Sequence, residues 1–357
     1  MNPLPELDVR HLIVRLPNWL GDTVMALPTL RALRAGLHEC QITLIGPWAP
    51  LLSDQGLSDR SVAYPRSRRK RLTAIRGLRG LRAETALLLP NSIESALAAW
   101  LWGARWIIGY ATDGRRQLLS HPLPPPVPRR HQVDEYLGLL PPFGLDHADA
   151  TPRWILPDDI HGERVEALLP SSGTLPGPRI GIHLGTAFGP SKLWPPDRLA
   201  ALARELRRRD LVPVLLGAPS DESIANAIVA EAGGELTSLV GKDAPELLPS
   251  LLARLDVLVG MDTGVAHLAA AVGVPVVTLF GPTDPGLTAP RGVGLSVIWK
   301  PPPCAPCFLP DCPIEHPCMR AIGVEEVLEA VEERLGARRL SSGLGAPPRP
   351  RVGQDVT

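Results

Sequence analysis

The 357-residue sequence predicts an α/β protein built from two successive doubly wound units. Three observations predict it. Short apolar runs rich in Val, Ile and Leu alternate with longer stretches of helical periodicity, as expected where helices cover a parallel sheet. The alternation runs through the first half and starts afresh near residue 179. Between the halves, residues 143–178 hold Pro152, Pro157, Pro170, Pro176 and Pro178 with Gly173 and Gly177, punctuation that reads as a linker.

Taken in order, residues 11–16, 41–45 and 85–89 read as buried strands, with helices at 23–35 and 92–102. The second unit reads as strands at 179–184, 212–216, 257–259 and 274–280, interleaved with helices at 196–209, 221–232 and 263–272. The expected domains are 1–165 and 166–335, followed by a tail, 336–357, without apolar period and expected to be disordered. Ligands of open α/β sheets bind beyond the carboxyl ends of the strands, so two such domains facing each other would enclose a central cleft. The longest apolar run, 96–104, is far below the ~20 residues that span a bilayer. Residues 1–10 lack a basic segment followed by an apolar one, so the chain reads as cytoplasmic.

Lys plus Arg and Asp plus Glu each number 37, which argues against a uniformly basic nucleic-acid binder. The neutrality is a cancellation. Residues 1–165 hold 20 basic and 16 acidic groups, 166–335 hold 13 and 20, and the tail holds 4 and 1. Residues 60–130 alone carry 14 basic groups against Glu84, Glu94 and Asp113, a field that invites an anionic ligand. No interleaved stacking aromatics accompany it, so nucleic acid is not the expected partner.

Three turns carry candidate chemistry. Residues 16–23, LPNWLGDT, close the first strand; Asp22 reads either as the cap of the following helix or as a catalytic carboxylate. Residues 185–194, GTAFGPSKLW, place hydroxyls, small residues and Lys192 where backbone amides and a point charge could hold a phosphate, although an exposed loop lysine is the plainer reading. Residues 260–267, GMDTGVAH, lie between a buried strand and an Ala-rich helix, and read either as an ordinary capped helix or as N-terminal amides that suit a pyrophosphate. There His267 shares a face with Thr263 and Gly264. Cys304, Cys307, Cys312 and Cys318, with His316 among them, read either as zinc ligands or as reduced cysteines in a folded loop.

Together the segments LIVRLPNWLGDTVMALP at 12–28, LLLPNSIESALAAWLWG at 87–103, IGYATDGR at 108–115, KLWPPDRLAALA at 192–203, DTGVAHLAAAVGVPVVTLFGPTDP at 262–285 and CAPCFLPDCPIEHPCM at 304–319 resemble the ADP-heptose:lipopolysaccharide heptosyltransferases, glycosyltransferase family 9, and most closely its type II members. The resemblance spans roughly residues 10–335. It implies a GT-B fold of two Rossmann-like domains and an inverting transfer of heptose from ADP-heptose to a heptosylated Kdo-lipid A core. It further implies Asp22 as general base, Thr186 and Lys192 at the donor phosphates, Glu222 at the nucleoside, and Asp262, Thr263, Gly264 and His267 in the ADP-heptose motif. The anionic acceptor is expected at Asn18 and at Arg68, Arg69 and Lys70. Met261 and the Val265-Ala266 pair depart from the family's usual residues, which touches donor preference more than activity. No Asp-x-Asp occurs, so no metal or other cofactor is expected for catalysis. A lipid-anchored acceptor implies peripheral contact with the cytoplasmic face of the inner membrane. Rival readings are transfer of another nucleotide sugar, nucleotide-sugar epimerisation, or binding without catalysis. An epimerase would consume donor without acceptor, and a binding protein would transfer nothing.

Overall fold

The computed structural model describes residues 9–342 apart from 66, 82, 147–148, 157–160, 170–176, 234–235 and 243. The first unit comprises β1 (His11–Arg15), α1 (Leu20–Met25), α2 (Leu27–Gly36), β2 (Gln41–Gly46), β3 (Arg60–Ala63), α3 (Arg68–Leu78), β4 (Thr85–Leu88), α4 (Ile93–Trp102), β5 (Trp106–Tyr110), β6 (His121–Leu123) and α5 (Gln132–Leu137). Its six strands are parallel in the order β3-β2-β1-β4-β5-β6. After α6 (Gly162–Glu166), the second unit runs β7 (Arg179–His183), α7 (Pro196–Arg208), β8 (Val212–Leu216), α8 (Glu222–Ala232), β9 (Thr237–Ser238), α9 (Leu248–Leu252), β10 (Val257–Met261), α10 (Gly264–Val272), β11 (Val276–Phe280), α11 (Pro285–Thr288), β12 (Leu295–Trp299), α12 (Pro317–Arg320) and α13 (Val324–Ser342). Its sheet is again all parallel, in the order β12-β11-β10-β7-β8-β9.

Parallel strands covered on both faces can be apolar throughout. Every residue of β4, β7, β8, β10 and β11 is buried. In the first sheet α3 and α4 cover one face, where Ile75, Leu78, Ala96, Ala99 and Trp102 pack on Ile13, Ala86 and Leu88. On the other face Val24, Leu27, Leu30 and Leu33 begin an apolar cluster that continues through Trp154 and Val165 to Leu251, Leu268 and Val276 of the second unit. The two units therefore share one core. At roughly 1.5–3 kcal/mol for each large apolar side chain buried, this seam resists separation of the domains.

Three boundaries differ from expectation. The helix expected over 23–35 is two helices, because Pro28 has no N–H to give to the carbonyl four residues back and starts a new segment at α2. The division at 165/166 cuts α6, whose Glu166 pairs with Arg179 at 3.4 Å and Arg254 at 3.3 Å, so this helix goes with the second domain. The tail expected to be disordered from 336 is helical to Ser342, where Arg338 donates to the carbonyls of Leu255 and Asp256 at 2.8 Å. Residues 343–357 lie outside the described residues. Strands β3, β5, β6, β9 and β12 were not expected; β3, β6 and β9 have only 4, 3 and 2 residues, and β3 and β12 stay partly exposed, so their apolar signal is weak, whereas β5 is as long and nearly as buried as the expected strands.

Candidate active site

The cleft is built where the carboxyl ends of the two sheets meet. From the first domain β1 ends in the turn that starts α1. Trp19 is the N-cap and Asp22 lies inside the first turn, so Asp22 is not the cap that spacing allowed. From the second domain β10 leads into Asp262, and Thr263 is the N-cap of α10 without a side-chain capping bond. The two helices abut end to end. A Cβ on Gly264 would fall 2.7 Å from the Gly21 nitrogen, and one on Gly21 would fall 3.0 Å from Cδ2 of His267. Only glycine lets the two backbones approach this closely.

Asp22 keeps part of its surface open to the cleft but is surrounded by protein on nearly all sides. Burial pushes its carboxyl up to about 6, nearby Asp262 adds to the rise, and Lys192 and Arg129 oppose it. Lys192 is not an exposed loop lysine. It is buried, its ammonium pairs with Asp262 Oδ2 and donates to the Asp262 carbonyl at 3.1 Å, and it lies 4.6 Å from the centre of the Phe188 ring. Thr283 Oγ1 donates to the same Asp262 oxygen at 2.8 Å. Desolvation holds the buried His267 imidazole down to about 4, with Asp262 pulling the other way and His131 and Lys192 adding to the fall. The ring is neutral at physiological pH. Thr263 Oγ1 is buried without a hydrogen-bond partner.

The remaining expected residues are placed differently. Thr186 stands at the mouth of the loop after β7, its hydroxyl accepting from the Phe188 amide at 3.3 Å. Glu222 is exposed on the first turn of α8. Its neighbour Asp221 lies closer to the loop: its carboxylate accepts from the Ala218 amide at 2.8 Å and occupies the space a Cβ on Gly185 would need. Asn18 is half-buried, its Oδ1 accepting from the buried Arg15 guanidinium at 2.7 Å. Lys70 is exposed on α3, whereas the side chains of Arg68 and Arg69 lie outside the described residues. Part of the basic excess is structural. Arg71 pairs with Glu94 at 3.2 Å, and Arg115 is buried and donates to the carbonyls of Tyr110 and Pro90 and to Asn91.

Sequence reasoning did not recognise the elements that brace this cleft, although it noted the cysteine segment for another role. Thr283 is one, although its Gly-Pro-Thr-Asp-Pro context directly after a buried strand was a visible turn signal. The segment at 304–318 is another brace. Ser191 donates its hydroxyl to the Leu309 carbonyl at 2.6 Å and its amide to Pro310 at 3.0 Å, while the Phe308 amide donates to Pro282 at 2.9 Å. It thus holds the Lys192 loop and the Thr283 turn together. Among the described residues no three His, Cys, Asp or Glu side chains are grouped to hold a metal. Cys304 is exposed and Cys318 buried, and Cys312 Sγ accepts from the His316 amide at 3.3 Å. Across the domain junction Arg291 forks onto Asp134 at 2.6 and 2.7 Å, and His131 Nε2 lies 2.9 Å from the Ala289 carbonyl.

A carboxylate from one doubly wound domain, set against a buried cation and a helix N-terminus from a second, defines a glycosyltransferase of the GT-B class. The chain belongs to glycosyltransferase family 9 (heptosyltransferase), which it matches over residues 71–317. It is 30% identical over 305 residues to lipopolysaccharide heptosyltransferase 2 of Salmonella typhimurium, covering 78% of this chain and 85% of the relative. Among solved structures it is similar to the ADP-heptose lipopolysaccharide heptosyltransferase II of Escherichia coli, with a TM-score of 0.77 and 26% identity over 92% of this chain and 99% of that one. A family 9 glycosyltransferase of Veillonella parvula shares the fold, with a TM-score of 0.78 at 20% identity over 93% and 99% of the chains.

Proposed function

We propose that the enzyme transfers heptose from ADP-heptose to a heptosylated Kdo-lipid A core during lipopolysaccharide biosynthesis, with inversion at the anomeric carbon. The observation that carries this reading is the juxtaposition of Asp22 with the Lys192–Asp262 pair across the Gly21–Gly264 contact. A sugar hydroxyl is a weak nucleophile at neutral pH. Asp22, with its carboxyl at about 6, is largely ionised there yet more basic than an ordinary carboxylate, which suits a general base. As the acceptor oxygen bonds to the anomeric carbon, its proton passes to Asp22 and the bond from that carbon to the ADP oxygen breaks. The charge that grows on ADP falls to Lys192, to the amides at the start of α10 and to the unpartnered Thr263 hydroxyl.

Asp262 does not suit direct contact with a diphosphate, because like charges repel. It instead holds Lys192 in place and is itself held by Thr283. Neutral His267 packs against Gly21 and helps shape the seam. Thr186 and Glu222 complete the donor side, and Lys70 with Arg68 and Arg69 receives the anionic core sugars at the rim. No cofactor takes part in this scheme. The enzyme works in the cytoplasm, at the inner leaflet that holds its acceptor.

The test is a transfer assay with ADP-heptose and heptosylated Kdo-lipid A, followed by mass and linkage analysis. One added heptose that requires both substrates is expected. Consumption of ADP-heptose without acceptor, or binding without transfer, would refute the reading.

A further inference from the structure

We propose that α4 and α3 form a docking face for an anionic lipid bilayer, which deepens and rests on the reading that the acceptor is lipid-anchored. A helix packed on a sheet normally turns a polar stripe to solvent. Helix α4 has none. Its only polar residues are Glu94, which accepts from Tyr64 at 2.8 Å and pairs with Arg71, and Ser95, which is buried and donates to the Ser92 carbonyl at 2.7 Å. Ala96, Ala99 and Trp102 fill the inner face. Ile93, Leu97 and Trp100, spaced i, i+4 and i+7 on one outer stripe, are 50%, 43% and 59% exposed. Contiguous apolar exposure of this kind marks a surface that has a partner.

The neighbouring helix decides which partner. Helix α3 packs beside α4 on the same face of the first sheet, and its sequence carries Arg68, Arg69, Lys70, Arg71 and Arg76 with no acidic residue. Exposed Arg105 follows the end of α4, its guanidinium 5.0 Å from the centre of the Trp106 ring. An apolar stripe flanked by basic residues matches the acyl boundary and headgroups of an anionic leaflet, and Trp is favoured at that depth. A second copy of this chain would bring the same positive charge to the contact and be repelled.

The orientation also serves the reaction. Helices of a parallel α/β layer run opposite to the strands, so the first turns of α3 and α4 lie at the cleft end of the sheet. Tyr64, Arg71 and Glu94 connect those turns to Arg15, whose guanidinium stacks 4.5 Å from the centre of the Tyr64 ring and bonds Asn18, four residues before Asp22. A membrane lying on this face presents a headgroup at the rim that holds the base.

The experiment is cosedimentation of the full chain with vesicles of mixed phosphatidylethanolamine and phosphatidylglycerol, against vesicles of phosphatidylcholine alone. The protein is expected to partition to the anionic vesicles, and high salt to weaken the binding. Combining Ile93→Ser, Leu97→Gln and Trp100→Gln should lower the partition about tenfold or more, and Trp100→Gln alone should lower it measurably, with melting temperatures retained. The triple variant should act normally on a deacylated acceptor and poorly on acceptor embedded in vesicles. Unchanged partition of the triple variant, no preference of the protein for anionic vesicles, or conversion of a dimer to a monomer by the substitutions would overturn the proposal. If neither protein transfers heptose to either acceptor, the proposed function fails, and the partition still decides the surface.

Discussion

Gly264 at the start of α10 and Gly21 in α1 touch backbone to backbone across the domain junction, leaving no room for a Cβ on Gly264 and little for one on Gly21. This contact sets the distance between Asp22 and the Lys192–Asp262 pair. Gly264→Ala would meet the Gly21 nitrogen at 2.7 Å and Leu20 Cβ at 2.9 Å and must push the domains apart. Turnover should fall by about tenfold or more, since displacements near 1 Å can cost as much as 100-fold. Small-angle scattering should show a larger radius of gyration. Normal turnover would mean that catalysis does not need this approach.

Asp22→Asn should lower turnover by orders of magnitude while ADP still binds. Because the Asp22 carboxyl lies at about 6, the activity of the unmodified enzyme should fall on its acid side near that pH as the base becomes protonated. An acid limb that persists unchanged in the residual activity of Asp22→Asn would belong to another group.

The same substitution should stabilise the protein. The folded carboxyl is raised from 3.8 to about 6, so the folded state binds its proton more tightly and this group opposes folding as pH rises through that window. The effect is complete above about 6 and absent below 3.8. Two pH units correspond to roughly 3 kcal/mol, an upper figure for the gain of Asp22→Asn near neutrality. Denaturant melts at neutral pH and below 3.8 test this, and an equal gain at both would contradict the assignment.

His183 and His267 act with the opposite sign. Burial depresses both from 6.5 to about 4, so the stability tied to their neutral forms is present above 6.5 and is lost as pH falls toward 4. In the unmodified protein Asp22 partly offsets this loss over the same range. Asp22→Asn should therefore steepen acid unfolding between about pH 6 and 4, and replacing His267 with Gln should flatten it. Parallel pH–stability curves for the three proteins would refute the balance.

Lys192→Ala should weaken ADP-heptose binding and also destabilise the fold by about 3 kcal/mol, because it leaves the buried Asp262 carboxylate with Thr283 as its remaining side-chain partner. Adding Asp262→Ala should restore much of the stability and none of the donor affinity. A double variant no more stable than Lys192→Ala would show that the pair is not coupled.

The sequence by itself determined the layered class, the restart near residue 179, and the three turns that meet in the cleft. Apolar runs with turn residues at their ends are a local signal, and in a parallel sheet every such run ends on the ligand side. Tertiary structure decided what those turns do to one another. That Lys192 is buried on Asp262, and that Arg115 is an internal tie to Pro90 and Asn91, both depend on contacts between residues distant in sequence. Much the same holds for the cysteine segment, whose close spacing allowed a metal site but which in the fold braces the Lys192 loop against the Thr283 turn. Charge and spacing are written along the chain, whereas desolvation and pairing exist only once the domains have closed, and those two effects set the proton affinity of Asp22.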